Sequence, residues 1–288
     1  MNSFVINKKI DSFESKINVD GDKSLSIRWI LLASQATGVS KAYNLPKSED
    51  VTAAINLIKK LGIKVKIHKK FCKIHGNGIN GFKYKKNLTL DAKNSGTLGR
   101  LILGLLIKSP KKIKLIGDKS LSKRDFSRVT VPLSRFGAKF YYNKNNKLPL
   151  SILGTKSVKG INYLENKGSA QCKSSVMFAA LNSPGTTSIK AKKSRNHTEL
   201  LFKYLKIPTK IRSTKKYDLI DIKQPKIVPA FNYQIPGDIS SSAFFIVLTA
   251  LANNSQLLIK NVNINPSRIG VIKILKKMGV KIFLKNQK

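Results

Sequence analysis

The 288-residue chain predicts an α/β fold of two domains, and three recurrences carry that expectation. The first is a helix that ends near Gly and passes into an alternating strand, as in "IKKLGIKVKI", "PLSRFGAKFYY", "FKYLKIPTKI" and "LKKMGVKIFL". Gly62, Gly137, the equivalent Lys206 and Gly279 stand 75, 69 and 73 residues apart. Glycine just past a helix supplies the left-handed C-terminal conformation, and period-two alternation marks the strand that follows. The second recurrence runs from a helix end through a turn and a strand to a capped helix start: "ATGVSKAYNLPKSED", "NSPGTTSIKAKKSRNHTE" and "NNSQLLIKNVNINPSR". The third is the loop "GDKSLSIR", nearly repeated as "GDKSLSKR" and echoed as "PGDISSSA", each time ahead of an apolar helix. A unit of strands and two packed helices, repeated four times, satisfies all three.

Along the chain, Gly21 ends a strand and an apolar helix begins near Ser24. Ser48, Ser194 and Ser267 suit N-caps, with Glu49 and Asp50 placed to complement the helix dipole in the first turn. "NSGTLGRLILGLL", Asn94 to Leu106, is a small polar loop opening another apolar helix, and "GSAQCKSSVMFAALNSPG" opens a third. No low-complexity linker separates the units. The longest apolar stretches, "WILLA" and "FFIVLTALA", are too short to span a bilayer.

Composition indicates a folded protein, with 41% hydrophobic and 24% charged residues. Fifty-five basic against 14 acidic residues give a net charge of +41, which attracts anions. Only eight of the basic residues are arginine, and the lysines are spread along the chain without a run of five or six. Codon drift toward A and T accounts for most of this excess, and a dedicated nucleic-acid arm is not expected. Two cysteines, Cys72 and Cys172, make neither a disulfide framework nor a zinc set. The amino terminus has no apolar core of signal-peptide length, so a cytoplasmic location is expected.

Three helix starts can hold anions. Lys23, Ser24 and Arg28 approach one of them, where unpaired backbone N–H groups, a hydroxyl and a two-pronged guanidinium favour phosphate or carboxylate. The same residues also suit a capped surface helix. Gly96 allows close approach of a ligand to the second start, although packing also explains it. Ser169, Gln171 and Lys173 lie at the third, where neutral hydrogen-bonders could orient a hydroxylated substrate or cap the helix. His68, His75 and His197 lack metal-ligand spacing, so no metal is expected, and Cys172 suits a core thiol.

Beyond these local readings, the chain resembles the EPSP synthase (3-phosphoshikimate 1-carboxyvinyltransferase) family. The matching segments are "GDKSLSIR", "LPKSED", "KNSGTLGR", "GDKSLSKRDFSRV", "SAQCKS", "SRNHTE", "PGDISSSAFFIV" and "NINPSRIGVIKILKKMG", in family order and spacing. They cover nearly all of Val19 to Val280. The resemblance implies the two-domain enolpyruvyl-transferase fold, built from repeated βαβαββ-type units. It implies transfer of the enolpyruvyl group of phosphoenolpyruvate to the 5-hydroxyl of shikimate 3-phosphate with release of phosphate, without metal or organic cofactor. By residue, Lys23, Ser24, Arg28, Ser169, Ala170, Gln171 and Ser194 would hold shikimate 3-phosphate. Lys23, Gly96, Arg124 and Gln171 would meet phosphoenolpyruvate, and Lys23 would also stabilise charge during the reaction.

The chain departs from the family in three places. Asp125 stands where proline usually follows the arginine matching Arg124, and Leu98 replaces a smaller residue. Four repeat units are present against the family's six, so residues 19–234 are expected to form a complete first domain of three units. Residues 1–18 with 235–288 would then form an incomplete second domain of a C-terminally shortened chain, with the acid and base residues in the missing part. The complete form is expected to be a monomer. Two alternatives are a noncatalytic basic scaffold that binds nucleic acid nonspecifically and the sister enolpyruvyl transferase acting on UDP-N-acetylglucosamine. The latter usually has Lys-Asn in its first loop, where this chain has Lys23 and Ser24.

Overall fold

The structure is a computed structural model that describes residues 10–143 and 145–285. It divides into two compact units, one of Lys23–Ile235 and a smaller one built from the chain up to Asp22 and from Pro236 onward. The first nine and last three residues of the expected second domain lie outside the described residues.

In the smaller unit, β1 (Glu14–Asn18) comes first. The larger unit opens with α1 (Lys23–Gln35), β2 (Ala36–Tyr43), α2 (Glu49–Lys60), β3 (Lys64–Ile67) and β4 (Phe71–Asn77). Next come β5 (Leu88–Asp91), α3 (Gly96–Leu105), β6 (Ile113–Ile116), α4 (Lys119–Ser122), α5 (Ser127–Ser134), β7 (Lys139–Tyr142) and β8 (Leu150–Leu153). A third stretch holds β9 (Asn162–Glu165), α6 (Ala170–Ala180), β10 (Thr186–Lys192), α7 (His197–Tyr204), β11 (Thr209–Ser213) and β12 (Tyr217–Lys223). The short strands β13 (Val228–Pro229) and β14 (Asn232–Gln234) follow.

The sheets show why these stretches are one motif repeated. β9 and β10 are parallel across α6, and β10 pairs antiparallel with β12, which pairs antiparallel with β11. β5, β6, β8 and β7 repeat this arrangement around α3. In the first copy β2, β4 and β3 are present, but the strand that should precede α1 comes from β13 and β14, both parallel to β2. The first sheet is therefore completed by residues about 190 positions later in the chain, as in the pair Asn232 and Lys41.

The helices that follow the first strand of each copy form the centre. Every residue of α1 from Ser24 to Gln35 is buried, as are most of α3 and all of α6 from Cys172 onward. Helices apolar on all sides are stable only when enclosed. Backbones approach closely where α3 meets α6: a Cβ at Gly104 would lie 2.2 Å from the Ser175 carbonyl oxygen. Ser175 Oγ also donates to the Arg100 carbonyl at 2.8 Å. Lys173, fully buried on α6, forms a 2.5 Å ion pair with the buried Glu199 of α7.

The left-handed helix ends fall where the repeat places them: φ is 84° at Gly62, 104° at Gly137, 54° at Lys206 and 90° at Gly279. Lys206 adopts this conformation without being glycine, and its side chain is exposed. Two of the expected caps differ. Ser48 holds the N-cap position of α2, although its side chain makes no capping hydrogen bond, whereas α7 starts after Asn196 rather than at Ser194. Ser267 is likewise no cap. Its N–H and hydroxyl both donate to Asn265 Oδ1 in a turn that precedes the helix.

The smaller unit continues with α8 (Ile239–Leu251), β15 (Gln256–Lys260) and α9 (Gly270–Lys277), and β15 pairs parallel with β1. Asp238 caps α8 by accepting from the Ser240 N–H and is paired with Arg268. Unlike its counterparts α1, α3 and α6, α8 exposes Phe244 and Leu251, 79% and 78% accessible. The strand expected after Gly279 does not form among the described residues, which give it no pairing partner.

Gly104→Ala should destabilise the larger unit by about 1–3 kcal/mol, because the methyl group meets backbone that has no rotamer to yield. Urea unfolding followed by circular dichroism would show this as a lower midpoint with an unchanged slope.

Candidate active site

Each central helix leaves its first N–H groups without intrahelical partners. Side-chain bonds tie the N-terminal halves of α1 and α3 to that of α6. Arg28, one turn into α1, donates from Nη2 to Ser174 Oγ on α6 at 3.1 Å. Arg100, one turn into α3, donates from Nη1 to Gln171 Oε1 at the start of α6 at 2.6 Å. Gln171 in turn donates from Nε2 to Thr97 Oγ1 at 3.0 Å. A Cβ on Gly96 would lie 2.9 Å from Nη1 of both Arg100 and Arg124, so two guanidinium groups rest against a glycine that leaves room for them.

Of the sequence-predicted residues, Gly96, Arg124 and Gln171 share contacts with Arg100, and the others take separate places. Ser24 and Arg28 are buried at the start of α1, and Arg28 Nη1 donates to the Ser24 carbonyl oxygen at 2.9 Å. Lys23 is half exposed and pairs with Asp50 at 3.2 Å. Ser169 caps α6, its hydroxyl accepting from the Cys172 N–H at 3.3 Å, and Ala170 is the first residue of that helix. Ser194 lies between β10 and α7, and its Oγ is buried with no hydrogen-bond partner among the described residues. Arg124 is exposed just after α4. The second "GDKS" copy thus opens only a single turn of helix, capped by Asp118, instead of a long apolar one.

Several contributors were not among the predicted residues. Arg100 follows Gly96 by one helical turn and so shares its face, a relation that helical periodicity alone could have raised. Thr97, Ser174 and Thr198 had no such signal, because their partners lie on other repeats. Asp125, an apparent conflict with an anion site, is occupied locally: Ser127 donates to it from both N–H and hydroxyl at 2.7 Å. Partial burial raises its pKa, but the Ser127 bonds together with Arg100 and Arg128 outweigh this and leave the carboxyl below the ordinary range.

The electrostatics favour an anion. Burial is the main reason that the Arg100 pKa lies below its ordinary value, and the neighbouring Arg124 and Arg128 lower it further. Arginine remains charged at this depression, so the like charges repel until an anion enters. Among the described residues no cluster of three or more His, Cys, Asp or Glu side chains could hold a metal ion, and no helix is long and apolar enough to cross a membrane.

Comparison with known proteins agrees with this architecture. The family description "EPSP synthase (3-phosphoshikimate 1-carboxyvinyltransferase)" matches residues 7–288. The chain belongs to the EPSP synthase family. It is 38% identical over 284 residues to the 3-phosphoshikimate 1-carboxyvinyltransferase of Thermoanaerobacter sp. (strain X514), covering 98% of this chain and 65% of that relative. Identity to the enzyme of the same name from Ruthia magnifica subsp. Calyptogena magnifica is 41% over 290 residues, covering 100% of this chain and 65% of the relative. The EPSP synthase structure from Acinetobacter baumannii superposes with a TM-score of 0.87 at 33% identity, covering 96% of this chain and 62% of that one. The chain thus spans just under two thirds of the length of these EPSP synthases.

Burial also sets the chemistry of the two thiols of this EPSP synthase family member. It raises Cys172 and pushes Cys72 up from 9.0 to about 11, with Lys59 opposing in the latter. In an unfolded chain Cys72 would ionise at its ordinary value, so its contribution to stability is present below pH 9.0 and is lost between there and about 11. Alkylation by iodoacetamide at pH 8 should be at least about tenfold slower in the folded protein than in urea, because the thiolate is the reactive form. Equal rates in the two states would show that the thiols are not buried.

Proposed function

We propose that this chain supplies the substrate-binding and charge-stabilising part of an enzyme that transfers the enolpyruvyl group of phosphoenolpyruvate to the 5-hydroxyl of shikimate 3-phosphate, releasing phosphate. The observation that carries this reading is the pair of guanidinium groups, Arg100 and Arg124, resting against Gly96 at the start of α3, with Arg100 bonded to Gln171 and Arg28 to Ser174 on the neighbouring α6. Two anionic substrates must approach within bonding distance, and a preformed cluster of cations reduces their repulsion without reorganisation during the reaction.

In this assignment Lys23, Ser24 and Arg28 hold shikimate 3-phosphate with Ser169, Gln171, Ser194 and the backbone at Ala170. The buried, unpartnered Ser194 Oγ supports a place for that residue at a ligand. Lys23, Gly96, Arg124 and Gln171 meet phosphoenolpyruvate, and the ammonium of Lys23 stabilises charge that develops as the two join. The carboxylates around the site are already engaged: Asp50 with Lys23, Asp125 with Ser127, Glu165 with Arg128 and Glu199 with Lys173. We therefore assign none of them to proton transfer. Family membership disfavours both the nucleic-acid scaffold and the UDP-N-acetylglucosamine transferase. Two buried free thiols support action in a reducing compartment such as the cytoplasm.

Thermal unfolding with shikimate 3-phosphate tests the assignment at physiological salt. Ligand at 100 times its Kd should add about 2.7 kcal/mol and raise the midpoint, and Arg28→Ala should sharply reduce the rise at the same ligand concentration. A cooperative transition indifferent to the ligand would overturn the site.

Gly96→Ala separates the two substrates. Its methyl group can displace only the ends of flexible arginines, so stability should change by less than about 1 kcal/mol. Calorimetric titration of phosphoenolpyruvate into the binary complex should nevertheless show about tenfold weaker binding, as the Arg124 guanidinium is moved.

A further inference from the structure

We propose that Thr198 and Ser174 are positioning residues for Arg28, and that the buried Lys173–Glu199 ion pair holds the two hydroxyls in register. The inference rests on the reading of Arg28 as a shikimate 3-phosphate ligand and adds what orients it. Arg28 is only 3% exposed, within the first two turns of α1. Its Nε donates to Thr198 Oγ1 at 2.8 Å, its Nη2 to Ser174 Oγ at 3.1 Å and its Nη1 to the Ser24 carbonyl oxygen at 2.9 Å. All three nitrogens of a planar, rigid fork are thereby anchored in three directions. One acceptor would leave the plane free to turn, whereas three fix both plane and rotation.

The hydroxyl pair is itself joined. Thr198 Oγ1 and Ser174 Oγ lie 2.7 Å apart, so one donates to the other while both accept from the guanidinium. They come from different helices, α7 and α6, and their spacing requires those helices to keep a fixed offset. Lys173 and Glu199, each adjacent in sequence to one of the hydroxyl residues, join the same helices. A buried ion pair is a poor source of net stability, because desolvation offsets its attraction, but its demand for a partner fixes geometry. Here the fixed geometry is the offset that the Arg28 hydroxyl pair needs.

Substitution in the full 288-residue chain distinguishes positioning from general support. Thr198→Val keeps the shape but deletes the acceptor, and Thr198→Ser keeps the acceptor. The first readout is the Arg28 Nε–H signal in 15N NMR without ligand, assigned by its loss in Arg28→Lys. The second is the Kd for shikimate 3-phosphate. Thr198→Val should accelerate exchange of the Nε–H and weaken binding, each by about tenfold, as expected for loss of one hydrogen bond to a charged group. Thr198→Ser should restore both to within about twofold, and Thr198→Val should have no further effect on Kd in an Arg28→Ala background. If Thr198→Val does not fold, Ser174→Ala should give the same two changes through Nη2.

An unchanged Nε–H signal in the valine or alanine variant would overturn the proposal. So would an equal loss of affinity in the Arg28→Ala background, which is what a merely structural role predicts. Arg28→Ala that leaves the affinity for shikimate 3-phosphate intact would instead overturn Arg28 as a ligand, and the Nε–H signal would still decide whether Thr198 and Ser174 orient it.

Discussion

Burial of α1, α3 and α6 on every side is the constraint on which the larger unit depends. Each helix is too apolar to face water and must be covered by neighbouring helices and by the sheets of the repeats. Close approach is possible because small residues stand at the crossing, as Gly104 does against Ser175. Once the three helices are enclosed, side-chain bonds tie the N-terminal halves of α1 and α3 to that of α6, and each helix brings N–H groups that no helical carbonyl can satisfy. An anion-attracting centre is thus a by-product of the packing, and the basic side chains one turn into α1 and α3 add to it.

The same packing explains why the polar residues of the junction are paired across repeats. Arg28 reaches Ser174 and Thr198, Arg100 reaches Gln171, and Gln171 reaches Thr97. Buried polar groups left without partners would weaken the unit, so the enclosure that creates the site also demands these bonds. In the function proposed above, these bonds orient the guanidinium groups ahead of a ligand. Preorganisation of this kind is what an electrostatically stabilised reaction requires.

Within the smaller unit the repeat is present in its first stages: β1 and β15 are parallel, α8 is capped by Asp238, and α9 ends at a left-handed Gly279. Its apolar helix shows the other side of the constraint. α8 has the composition of a central helix, but Phe244 and Leu251 are exposed, where the corresponding helices of the larger unit are buried. Apolar helix chemistry is therefore a property of each repeat, whereas burial is a property of the set.

By itself, the sequence determined the features that short-range chemistry controls. Spacing of Gly62, Gly137, Lys206 and Gly279 marked the helix ends, because the left-handed conformation is a local backbone state, and it identified Lys206 despite the side chain there. The helix starts that hold Ser24, Gly96 and Ser169 were legible for the same reason. Caps at Ser194 and Ser267 were not, since neighbouring asparagines take the turn geometry that the serines were expected to supply. Only the tertiary structure decided that β13 and β14 complete the first sheet, that Arg100 meets Gln171 71 residues away, and that Arg28 meets Thr198 170 residues away. Periodicity tells which residues share a face of one helix; which face of another repeat they meet is set by enclosing three apolar helices at once.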